Sequence, residues 1–76
     1  MKNDIYKNCK AILKEVAATE KRHNKNDKPR IRQCINDTAD GLYRQIDFHA
    51  MKGTISAKQA ELYKNWLSNY ACKLHP

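Results

Sequence analysis

Only two glycines and two prolines interrupt this chain of 76 residues, and that scarcity narrows the fold more than any other feature. A sheet of short strands needs turn residues every few positions, whereas long helices need few. Apolar residues also recur at spacings of three and four rather than two, which is the helical period. The chain therefore reads as all-α: a small antiparallel three-helix bundle, one domain over residues 1–76, with helices at about 4–22, 29–52 and 57–74.

Each helix has its own signals. In the first, Asp4 is a good N-cap, and Ile5, Cys9, Ile12, Leu13 and Val16 share one face. Its end is expected at His23-Asn24, because Asn tolerates the left-handed conformation that closes helices. In the second, Asp27 caps, Pro29 fits the first turn, and Ile31, Ile35, Ala39, Leu42 and Ile46 form the stripe. Gly41 inside it implies either close packing or a local weakness. Gly53 is the natural stop. The third helix opens on Ser56-Ala57-Lys58-Gln59, a capping box, and carries Ala60, Tyr63, Trp66, Leu67, Tyr70, Ala71 and Leu74. The two loops, about 24–28 and 53–55, are short enough to make sequential helices antiparallel.

A domain of this length sits near the lower limit for folding unaided, with a core worth roughly 3–5 kcal/mol net. Self-association into a homo-oligomer is therefore one expected source of extra stability. No apolar run exceeds three residues, so no membrane association is expected. Residues 1–6 lack the apolar segment of a secretory signal. Three widely spaced cysteines do not make a disulfide framework and fit a reducing compartment, so the expected location is cytoplasmic.

Charge is the strongest functional signal. The net charge is +7, but residues 1–32 hold ten Lys/Arg against four acids, while residues 33–52 are net −1. On a 100°-per-residue wheel Lys7, Lys10, Lys14 and Lys21 fall within about 60° of one another, opposite the apolar stripe. The ridge runs into a basic loop, where Lys21, Arg22, Lys25, Lys28, Arg30 and Arg32 occupy six of twelve positions. Surface lysines often serve only solubility. Crowding this many like charges costs stability, which favours contact with an anionic partner.

The remaining constellations are weaker. Asp37, Asp40, Arg44 and Asp47 form a charged band on helix two, best read as a solvated face with an Asp40–Arg44 pair. Phe48 and Met51 fall on the same side, either covering the bundle end or anchoring a protein partner. Tyr63, Trp66 and Tyr70 read as core rather than as a base-stacking row. Cys72 and His75 make half a metal site at most, so no metal or other cofactor is expected. A helix-turn-helix over 49–67 is disfavoured: His49 stands where that motif wants a small residue, and Gln59 where it wants an apolar one. Phosphate loops, zinc-protease motifs and nucleophile elbows are absent, and the expectation is a non-enzyme.

Two functions fit. The first is a small basic module docking on nucleic acid through Lys7, Lys10, Lys14, Lys21, Arg22, Lys25, Lys28, Arg30 and Arg32. The alternative is a small adaptor or inhibitor of the phage or mobile-element type. It would dock on an acidic protein surface, for example that of a host nucleic-acid-handling enzyme, with Phe48 and Met51 as anchor.

Overall fold

A computed structural model describes residues 2–75, with side chains from Asp4 onward. It contains three helices, α1 (Lys2–His23), α2 (Lys28–Met51) and α3 (Ala57–Leu74), and each packs against both others. α2 is the central element, with more extensive packing on α1 and α3 than these have on each other. No helix among the described residues is long and apolar enough to cross a membrane.

The helix ends follow from local chemistry. Asp27 Oδ1 accepts from the Arg30 N–H at 3.2 Å, and Pro29 fills the first turn of α2. At the other end Gly53 takes φ 80°, its N–H donates to the Ala50 carbonyl, and the Thr54 N–H donates to His49. That pair of bonds is a Schellman closure, which needs a left-handed residue at the Gly53 position. Ser56 Oγ accepts from the Gln59 N–H while Gln59 Oε1 accepts from the Ser56 N–H, completing the capping box of α3.

Two ends depart from expectation. α1 begins at Lys2, so Asp4 lies in its first turn rather than at the cap. Asn24 does not adopt a left-handed conformation. Its N–H donates to the Glu20 carbonyl and its side-chain amide to Glu20 Oε2 at 2.7 Å, so it closes α1 with hydrogen bonds instead.

Leu13, Ile31, Ile35, Ile46 and Leu67 are the largest fully buried side chains, joined by Cys9, Ala17, Ala39, Leu42, Ile55, Ala60, Tyr63 and Ala71. The stripes expected on α2 and α3 are those observed. On α1 the inward face is turned: Ala17 is buried and Tyr6 packs on the core, whereas Ile12 is 41% exposed. On the helical wheel this rotates the core side by about 60° toward the lysines. The cause is α3, which packs beside Tyr6, with ring centroids of Tyr6 and Tyr63 4.4 Å apart. Burial pushes the Tyr63 hydroxyl pKa up, with Tyr6 adding to the shift.

Gly41 is exposed, and a Cβ built there meets nothing within 4 Å. The helix continues through it unbroken, so packing within the monomer does not require the glycine. Gly41→Ala is therefore expected to stabilise the monomer by about 1 kcal/mol and to raise Tm by about 4–8 °C. A thermal melt followed by circular dichroism at low micromolar concentration checks this; an unchanged or lowered Tm would contradict it.

Candidate functional site

The helices differ in length, and that difference shapes the charged surface. α2 has 24 residues and α3 has 18. Across their interface Asp47 pairs with Lys64 at 2.6 Å, Tyr43 bonds Ser68, and Asn36 meets His75 Nε2 at 3.0 Å. α3 thus ends level with Asn36. The part of α2 before that point, and the α1 segment antiparallel to it, continue about 12 Å further as a two-helix projection. The molecule measures 42 × 18 × 17 Å as a result.

Lys21, Arg22, Lys25, Lys28, Arg30 and Arg32 all belong to this projection and all are exposed. Its two acids are occupied locally. Asp27 caps α2. Glu20 is half-buried, accepts from the Asn24 side chain, and lies close enough to Cys34 on α2 to raise its thiol pKa. Among the described residues the only ion pair is Asp47–Lys64, near the other end of α2. None of the six cations is matched by a carboxylate. The N-terminus of α2 adds its partial positive charge at the same place.

Lys7, Lys10 and Lys14 are exposed too, but they form a second group. Because the core side of α1 is turned, these lysines flank the α1–α3 seam rather than standing opposite the core. Lys10 Nζ lies 6.0 Å from the Tyr70 ring centroid, a cation–π contact across that seam. The sequence pattern ran the nine cations into one ridge. The length of α3 divides them into a projecting group of six and a seam group of three.

The aromatic row is structural. Trp66 and Tyr70 stack on each other at 5.3 Å and 5°, Tyr6 meets Trp66 edge-on at 5.0 Å, and Lys10 lies over Tyr70. Those contacts occupy the ring faces that a base would need.

The three cysteines are all free thiols, one on each helix. Cys9 is buried in the core, Cys34 is half-buried and Cys72 is exposed, while His75 is bonded to Asn36. Among the described residues no group of three or more His, Cys, Asp or Glu gathers. Burial pushes the Cys9 thiol pKa up. For Cys34 desolvation also leads, followed by the hydrogen bond and charge of Glu20, with Arg30 opposing. A raised pKa leaves less thiolate at neutral pH and slows reaction. At pH 7.5 a thiol reagent should modify Cys72 first, Cys34 more slowly and Cys9 only on unfolding. Equal rates for Cys34 and Cys72 would contradict that order.

On the charged face of α2, Asp40 and Arg44 do not form the expected pair; Asp47 reaches across to Lys64 instead, where an interhelical partner is available. Phe48 is 51% and Met51 81% exposed, so neither caps the bundle. Comparison of the chain with protein-family models, with curated proteins and with solved structures finds no match.

Proposed function

We propose that this protein is a non-enzymatic module that docks on nucleic acid, with the projecting α1–α2 hairpin as its principal contact. The observation that carries the reading is the imbalance within that projection: six exposed Lys/Arg, with both local acids committed to helix ends, Asp27 capping α2 and Glu20 bonding Asn24 at the close of α1. Unmatched cations on a narrow projection repel one another and gain most from a dense, regularly charged anion. A phosphate backbone is such a partner, and its contacts are largely independent of base sequence. With the rings of Tyr6, Tyr63, Trp66 and Tyr70 already engaged with one another, stacking of bases on that row adds little.

Salt dependence tests the proposal directly. Six phosphate contacts predict a slope of log K against log salt of about −5 on duplex DNA and about −4 on single strands. Fluorescence anisotropy with arbitrary duplex and single-stranded oligonucleotides should give those slopes with little preference among sequences. No detectable binding at 50 mM salt or below would overturn the reading.

The exposure of Phe48 and Met51 favours a second reading, a protein-binding adaptor or inhibitor. In that reading an acidic partner would have to meet the cationic projection and an anchor roughly 30 Å away along α2. Asp40 and Asp47 beside the anchor would repel it. A single stoichiometric protein retained through nuclease treatment would favour this second reading.

A further inference from the structure

The outward face of α2 is covered by neither α1 nor α3. Along it Asp37, Gly41, Arg44, Phe48 and Met51 are exposed at alternating spacings of four and three, the period of a helix that packs against another helix. Phe48 and Met51 account for two of the four large exposed apolar residues. Gly41 lies mid-stripe with nothing within 4 Å of its Cβ direction, although glycine weakens a helix interior. Nothing inside the monomer accounts for it.

We infer that this face is a homodimer interface, in which α2 of two copies pack antiparallel and cross at Gly41. The charge pattern selects a second copy over other occupants, because it is self-complementary. A two-fold axis passing between Asp40 and Gly41 brings Asp37 opposite Arg44 of the second copy, and Arg44 opposite its Asp37. An isologous interface must form each contact twice in this way. Asp37 is oriented by Gln33, whose Nε2 donates to Oδ1 at 2.9 Å, which leaves its other oxygen open. Arg44 has no hydrogen bond or ion pair among the described residues.

The same axis lays Met51 against the aliphatic stem of Arg30 from the second copy, with the guanidinium free at the rim. Phe48 falls beside Cys34. The absent side chain at Gly41 lets the two backbones approach at the crossing, as small residues do in close helix pairs. An antiparallel arrangement also sends the two cationic hairpins to opposite ends, the least repulsive placement for a chain of net charge +7. The contact is about 30 Å long but only one helix wide, which predicts a reversible dimer in the micromolar range.

Sedimentation equilibrium of the full chain from low micromolar to near-millimolar concentration tests the inference. The wild type should pass from monomer to dimer. Asp37→Arg and Arg44→Asp should each weaken association at least about tenfold by setting like charges face to face. The double variant D37R/R44D should recover it, and mixing the two single variants should give a heterodimer. Gly41→Leu should block the crossing while circular dichroism shows a folded monomer. A wild type that stays monomeric to near-millimolar concentration overturns the inference. So does a dimer indifferent to these reversals, or an α2 face that engages only a different protein.

Discussion

Leu13→Ala should leave the protein largely unfolded at room temperature, whereas Ile12→Ala, one residue away, should leave it folded. Leu13 is 0% exposed and lies among the helices; Ile12 is 41% exposed on the outer side of α1. Truncating a fully buried leucine costs about 3–5 kcal/mol, combining lost transfer free energy with the cavity left behind. A core of this size supplies only about 3–5 kcal/mol in total, so the two quantities nearly cancel. The core has little scope to fill the gap, since its other large side chains, Leu67, Ile35, Ile31 and Ile46, are themselves fully enclosed. For Ile12 the cost should be about 1 kcal/mol or less, because much of its surface already meets water. Urea titrations of both variants, followed by helical ellipticity, decide the matter. Equal destabilisation would mean that Ile12 faces the core as fully as Leu13 does.

That neighbouring pair also shows where reading the residues succeeds and where it stops. Both are β- or γ-branched aliphatics on α1, and spacing alone placed both on the apolar face. What distinguishes them is the position of α3, which no local pattern in α1 records. Packing of α3 against Tyr6 turned the helix so that Ala17 went inward and Ile12 outward. Alanine gives little hydrophobic signal and tyrosine a mixed one, so the true stripe was quieter than the apparent one. Where a device is local, the residues were sufficient: the Asp27 cap, the Ser56–Gln59 box and the Gly53 closure each rest on atoms within a few residues. Asn24 is an instructive exception, since its side chain found Glu20 and removed the need for a left-handed turn. The charged surface was legible as a set of cations. Its division into hairpin and seam was not, because it depends on α3 ending level with Asn36.

That division makes the second large effect. Neutralising three hairpin lysines, as K21Q/K25Q/K28Q, should lower nucleic-acid affinity on the order of 10²-fold at 0.1 M salt and flatten the salt slope by about 3. Neutralising the seam group, as K7Q/K10Q/K14Q, should cost only a few-fold, because Lys10 is engaged with Tyr70 and its neighbours stand back from the projection. Glutamine is nearly as good a helix former as lysine, so neither triple variant should lose much stability. A converse substitution removes the ambiguity of simply lowering net charge. Asp27→Asn keeps a side-chain oxygen for the Arg30 N–H, and asparagine caps as well as aspartate, yet it removes one of the two acids of the projection. It should tighten binding several-fold with Tm nearly unchanged. Equal losses from the two lysine triples would make the whole length of α1 the contact surface. If hairpin neutralisation cost no affinity, the projection would not be the docking element, and its unmatched charge would need another partner.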